Sequence, residues 1–213
     1  MINENPSVKP TVFVIDDDPA MRKSLSWLIE SVNVRVEAHE SASVYAAKHD
    51  PTQPGCILLD VRMPGMSGLD LQQHLRELRS ITPIIVMTGH ADVPMAVRAL
   101  KAGAFDFLEK PFNDQILLEA VQKAIEHDRQ NRSMLAEVSE VEGRIDSLTK
   151  REVEVMDYVI NGNPNRKIAE VLGLSEKTIE VHRAHVMEKM RAKNAADLIR
   201  MVLSARNQSV AVR

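Results

Sequence analysis

The chain has one cysteine, Cys56, in 213 residues, so no intrachain disulfide can form. That fits a reducing compartment without proving one. Aromatic residues make up only 3% of the sequence, which argues against a surface that stacks the bases of a single strand. No run of about 18 apolar residues occurs, so no membrane-spanning helix is expected. The opening MINENPSVKP has no apolar segment of the kind a secretory signal needs, and no signal peptide is expected either. No Cys/His spacing suggests zinc, and there is no internal repeat or low-complexity tract. What is present is ordinary for a globular protein, with 44% hydrophobic and 27% charged residues. The length suits two small domains or one large one.

The net charge of −3 is unevenly spread. Residues 1–142 carry 14 basic and 21 acidic side chains, whereas residues 143–213 carry 13 and 9. An acidic front and a basic back suggest different partners for the two halves.

The front half alternates apolar strands with amphipathic helices. Strands are expected over 11–15 (TVFVI), 34–38, 56–59 (CILL), 83–87 (PIIVM) and 105–108. CILL is a solid apolar run, as a strand covered on both faces should be. Helices are expected after Pro19, over 41–48, 68–78 and 93–102, and from Asp114 onward. Five alternating pairs predict an α/β doubly wound parallel sheet of flavodoxin-like type. Residues 126–147 are polar and rich in both charge signs. Yet Met134, Val138, Val141, Ile145 and Leu148 keep a spacing of four, three, four and three. Such a stripe either rests on its own domain or pairs two chains in a short coiled coil, and two heptads are too few to dimerise alone. Gly143 would weaken that helix by about 1 kcal/mol. Residues 148–206 read as four helices: one opened by a Thr149/Glu152 capping box and broken by Gly162 and Pro164, one over 165–172 closed by Gly173, one capped by Ser175 and running to about Met190, and one over 195–203. The domains expected are therefore 1–125, a linker helix over 126–147, and an all-α unit over 148–213.

In a doubly wound sheet, ligands bind at the carboxyl ends of the strands. The polar residues there are Asp16 and Asp17, Asp60, Thr88 and Lys110. Three carboxylates in one pocket repel unless a cation sits among them, and oxygen-only ligands point to Mg²⁺ (or Mn²⁺). A lysine and a hydroxyl facing them suit a phosphoryl group, and a carboxylate is able to attack phosphorus and form an acyl phosphate. Taken singly, the acids read equally well as strand-end or turn residues. Asp18 reads as a surface residue or a helix N-cap.

The set VIDDD at 14–18, LLDVRMPGMSG at 58–68, MTGH at 87–90 and FLEKPF at 107–112 resembles the receiver domain of two-component response regulators. The resemblance implies that Asp60 accepts phosphate from a sensor histidine kinase. It implies that Asp17 binds the metal directly and Asp16 through water, with Asp60 and the backbone carbonyl of Arg62 completing the ligands. Thr88 and Lys110 would bind phosphoryl oxygens, Phe107 would act as an aromatic switch unless it is simply core, and the Lys110–Pro111 bond would be cis.

The tail TKREVEVMDYVINGNPNRKIAEVLGLSEKTIEVHRAHVMEKM (149–190) resembles the LuxR/NarL-type helix-turn-helix, as joined to receivers in the FixJ group. The helix after Ser175 would enter the major groove. With Ile179, Val186 and Met190 toward the core, a helical wheel leaves Lys177, Glu180, Val181, Ala184 and Glu188 outermost, with Thr178 near its start. Apolar Val181 and Ala184 at the centre of that face suit thymine methyl groups, or are single exposed apolars. Arg183 and Lys189 lie off the face but are long enough to reach phosphates. Glu180 stands where this family often has lysine; it would accept from cytosine N4 or offset neighbouring charge.

The reading that follows is a cytoplasmic, phosphorylation-controlled transcription factor, expected to be an activator. Its partners would be a sensor kinase, double-stranded promoter DNA, RNA polymerase and a second copy of itself. It would not be an enzyme. A haloacid-dehalogenase-type phosphatase also uses Asp, Lys and Mg²⁺, but needs D-x-D at the nucleophile, where this chain has D-V-R-M-P at 60–64. A degenerate receiver is disfavoured by the intact Asp17, Asp60, Thr88 and Lys110.

Overall fold

The computed structural model describes residues 9–89 and 93–211. They fall into two compact units, 1–131 and 132–213, each treated by itself below.

The first unit holds β1 (Thr11–Ile15), α1 (Pro19–Glu30), β2 (Arg35–His39), α2 (Ala42–Lys48), β3 (Gly55–Asp60), α3 (Gly68–Glu77), β4 (Ile84–Thr88), α4 (Val93–Lys101), β5 (Asp106–Glu109) and the start of α5 (Asp114–Asp146). All strand pairs are parallel, in the order β2-β1-β3-β4-β5. The order reverses between β1 and β3, so a crevice opens at their carboxyl ends. β1 and β3 are buried at every position, as the unbroken apolar run of CILL requires.

Two apolar layers cover the sheet. Val12, Val14, Leu58 and Met87 meet Leu25 and Ile29 of α1 and Leu117 and Val121 of α5. Phe13, Ile15, Leu59 and Val86 meet Tyr45 of α2 and Leu71 and Leu75 of α3. Each such fully buried side chain contributes roughly 1.5–3 kcal/mol, and the alternation along each strand fixes which helix layer it feeds. Asp18 caps α1 by accepting from the Ala20 N–H at 2.8 Å, with Pro19 in the first turn. Ser67 and Asp70 form a capping box for α3.

The second unit contains the rest of α5, α6 (Lys150–Ile160), α7 (Asn165–Leu172), α8 (Glu176–Met190) and α9 (Ala195–Ala211). Val155, Met156, Ile168, Ile179, Val186, Met190, Leu198 and Val202 form its core. The Thr149/Glu152 capping box, the left-handed Gly173 at the end of α7 (φ 66°) and the Ser175 cap of α8 stand where the sequence places them. α9 runs on to Ala211, past the expected end near Leu203, and Ala205 is buried one turn beyond Val202.

The linker differs from the expectation in one respect. α5 is one continuous helix of 33 residues across position 126. Its packing on the first unit reaches Asp128, whose buried carboxylate accepts the Gly55 N–H at 2.9 Å. Of the apolar stripe, Val138 and Leu148 are buried, and Val141 and Ile145 pack on the core of their own unit; only Met134 is left exposed. In this single chain most of the stripe is thus covered from within its own unit.

Candidate functional site

Asp16 follows β1, Asp60 ends β3, Thr88 ends β4 and Lys110 follows β5, so the topology gathers at one sheet edge four residues scattered over the sequence. Lys110 Nζ donates to Asp16 Oδ2 at 2.7 Å and to Asp60 Oδ1 at 2.6 Å. All three groups are largely buried. Burial pushes the Asp60 carboxyl up; Lys110 pulls it down, and neighbouring Asp16 pushes it up again, leaving it above its ordinary value. Burial lowers the Lys110 ammonium, but its hydrogen bonds to both carboxylates outweigh that and hold it above the usual lysine value. A cation fixed between two acids is what their mutual repulsion demands. The remaining oxygens are also tied: Asp60 Oδ2 accepts from the Arg62 N–H at 2.7 Å, and Asp16 Oδ1 from the Asp18 N–H at 2.9 Å.

Thr88 is buried, and its carbonyl accepts the Lys110 N–H at 2.8 Å, stapling β4 to the lysine. The Lys110–Pro111 peptide is cis, as the resemblance implied. Phe107 is half-buried and packs against the layer under α2 and α3. His90, last of the M-T-G-H motif, lies outside the described residues.

The oxygen-only donor set fits Mg²⁺ or Mn²⁺ in kind. Asp17, expected as the direct ligand, is exposed instead of joining Asp16 and Asp60. Among the described residues no three Asp, Glu, His or Cys side chains lie close enough together to hold a metal ion. Asp16 and Asp60 are thus brought together, and Asp17 is not.

Two supporting residues escaped the sequence reading. Arg22, in α1, donates from Nη1 to the Asp16 carbonyl at 2.6 Å and so holds the backbone between the paired acids. Gly68, quoted only as motif, backs directly onto Asp60: a Cβ there would lie 2.2 Å from the Asp60 carbonyl oxygen. The M-P-G-x-x-G spacing was the available signal for Gly68; for Arg22 there was none beyond a basic residue one turn into α1.

In the second unit the wheel orientation holds. Ile179, Val186 and Met190 are buried, while Lys177, Glu180, Val181, Ala184 and Glu188 are exposed, Val181 at 48%. Thr178 is half-buried, and its hydroxyl lies 2.8 Å from Ser175 Oγ within the helix cap. The two cations set aside for phosphates part company. Lys189 Nζ bonds Glu152 Oε2 at 2.6 Å, and Glu152 is only 4% exposed. That lysine and the Thr149 N–H hold the Glu152 carboxyl down at about 2. Lys189, which the sequence reading set within reach of a phosphate, is here paired with α6. Arg183 donates to the neutral Asn165 Oδ1 at 2.9 Å.

Comparison with known proteins matches residues 12–122 to the response regulator receiver domain and residues 146–202 to the bacterial regulatory proteins of the luxR family. Nodulation protein W of Bradyrhizobium diazoefficiens is 48% identical over 92% of this chain and 86% of its own length. The transcriptional regulatory protein FixJ of Rhizobium meliloti is 42% identical over 91% of this chain and 95% of its own. Among solved structures, the response regulator StyR has 42% identity, covers 92% of this chain and 98% of its own, and superposes with a TM-score of 0.84. Full-length FixJ from B. japonicum has 40% identity, covers 93% and 98%, and gives 0.58.

Proposed function

The chain belongs to the response regulators that join a receiver domain to a luxR-family DNA-binding domain, and from that premise we propose that phosphorylation of Asp60 by a sensor histidine kinase controls its dimerisation and its binding to promoter DNA. The observation that carries the reading is the Lys110 ammonium shared between Asp16 and Asp60 at the strand-order reversal. Asp60 is taken as the acceptor because it is the acid that ends the central strand and pairs with the Lys110 ammonium. A divalent ion held by Asp16, Asp17, Asp60 and the Arg62 carbonyl would supply the positive charge that a phosphoryl group and three carboxylates need in common. The chain's own residues do the rest. Asp60 provides the attacking oxygen, Lys110 the fixed positive charge for phosphoryl oxygens, and Thr88 the hydroxyl beside them.

Response regulators with these domains regulate transcription, and no enzymatic turnover is proposed. No helix among the described residues is long and apolar enough to cross a membrane. Action in the cytoplasm, activation rather than repression, and contact with RNA polymerase go with the same reading. Dimerisation would use the α4–β5 side, where Val97 and Leu100 are exposed at 41% and 49%, and would read paired half-sites. On the DNA side, Lys177, Glu180, Val181, Ala184 and Glu188 would face base edges and Arg183 a phosphate.

The test is acyl-phosphate labelling with a small phosphodonor and Mg²⁺. Wild type is expected to label stably and Asp60→Asn not at all. Undiminished labelling of the variant would overturn the assignment. Light scattering with and without phosphodonor should show a mass increase.

A further inference from the structure

We infer that Asn165 is a positioning residue for DNA binding, holding the Arg183 guanidinium, with its charge left unneutralised, for a backbone phosphate. The inference rests on the proposed DNA-binding role of α8.

Two observations carry it. First, Arg183 Nη1 donates to Asn165 Oδ1 at 2.9 Å across 18 residues, and both side chains are half-buried. Asn165 is the first residue of α7, whose N-cap is Pro164 and receives no side-chain hydrogen bond. The amide is therefore not spent on capping its own helix; it reaches to α8. Second, the partner is neutral. Elsewhere in the same unit, Arg151 pairs with Glu154, Arg166 with Glu170, Arg191 with Glu140, Arg206 with Asp157 and Lys189 with Glu152. Among the described ion pairs Arg183 has no carboxylate partner.

A carboxylate at position 165 would fix the guanidinium as firmly, but would cancel the charge that drives counterion release. An apolar residue would leave the charge and free the side chain, which then has to be immobilised on binding. Only a neutral acceptor gives a cation that is both oriented and uncompensated. One Nη1 hydrogen is used by Asn165, and the guanidinium keeps its other donors.

The test is a double-mutant cycle on the full chain, in the presence of phosphodonor and Mg²⁺. Binding to a short mixed-sequence duplex is titrated at several salt concentrations of roughly 50–200 mM. Arg183→Ala should shorten the slope of log K against log salt by about 0.9. Asn165→Ala should weaken binding about three- to tenfold in the wild-type background, and not at all in the Arg183→Ala background. Asn165→Asp should shorten the slope by about 0.9 although Arg183 is still present. A carboxylate in the first turn of a helix is favourable, so this variant should fold; circular dichroism and thermal unfolding verify each variant.

An equal loss from Asn165→Ala in both backgrounds would overturn the inference, since Asn165 would then touch DNA or support the fold by itself. So would an unchanged slope in Asn165→Asp. If the wild-type chain binds the duplex with no salt dependence, the DNA-binding reading fails. If it binds and the cycle is additive, only the role of Asn165 fails.

Discussion

Replacing Lys189 with methionine separates the phosphate contact that the sequence suggested from the ion pair with Glu152 that the structure shows. The lysine's ammonium sits 2.6 Å from Glu152, which is 4% exposed and also accepts the Thr149 N–H at 2.8 Å. Removing one member of a fully buried ion pair costs about 3–5 kcal/mol. Here the discount is large, because the Lys189 side chain is 36% exposed and water would replace it in part. The Thr149 N–H also still serves the carboxylate. A loss of about 1–2 kcal/mol is expected, in line with a hydrogen bond to a charged group that is partly screened. Methionine keeps the apolar stem, so the change isolates the charge. Hydrogen exchange followed by mass spectrometry on the full chain reads the second unit separately from the first. Amides of α6 and α8 should exchange roughly 5–30-fold faster. The pH dependence has a definite sign. The folded Glu152 carboxyl is held down at about 2, against an ordinary 4.5. Its contribution is therefore fully present above about pH 4.5 and is lost as pH falls toward 2. The methionine variant should show a smaller loss across that window. Unchanged exchange in α6 and α8, together with a salt slope of DNA binding shortened by about 0.9, would refute the reasoning and return Lys189 to the phosphates.

Gly68→Ala should slow labelling of Asp60 by about tenfold or more, because the new methyl group has to displace the Asp60 carbonyl, and ångström-scale misplacement of reacting groups is that costly; labelling at the wild-type rate with a native circular dichroism spectrum would contradict this. Asp128→Ala strands the Gly55 N–H at the amino end of β3 and should lower the stability of the first unit by about 1–3 kcal/mol, seen as a lower first transition in calorimetry with the second transition unmoved. Val181→Asp should abolish preference for a duplex selected by the wild type while leaving the thermal transition in place, since the side chain is 48% exposed; retained preference would mean that α8 does not enter the groove with this face.

What was legible in the sequence is what short-range chemistry determines. Thr149, Ser175 and Gly173 end or begin their helices through bonds to residues three or four positions away, and so the limits of α7 and α8 could be placed from the chain alone. Asp16, Asp60, Thr88 and Lys110 were found because a parallel sheet sends every strand end to one edge. Side-chain partners were not legible. A wheel says which way Lys189 points but not that Glu152, 37 residues earlier, waits there. The linker stripe at 134–148 had a spacing that suits two chains or one; that Val141, Ile145 and Leu148 pack on the core of their own unit depends on contacts that are not local. Asp17 shows the same limit: its neighbour in sequence is buried in the pocket and it is not, because successive residues leaving a strand point to opposite sides.

Charge accounting connects the two ends of the molecule's chemistry. Lys110 is held by two carboxylates at once, so its attachment depends on the balance of negative charge around it, and a doubly charged phosphoryl group on Asp60 would change that balance more than any other single event in the pocket. Arg183 is held by a neutral amide, and among the described ion pairs no carboxylate offsets its charge. Lys189 is held by one buried carboxylate and is offset already. Three cations of similar reach thus differ in the charge of what holds them. The same criterion applied to the sequence alone would have ranked Arg183 and Lys189 together, because hydrophobic periodicity places a cation on a face and says nothing of its counter-charge.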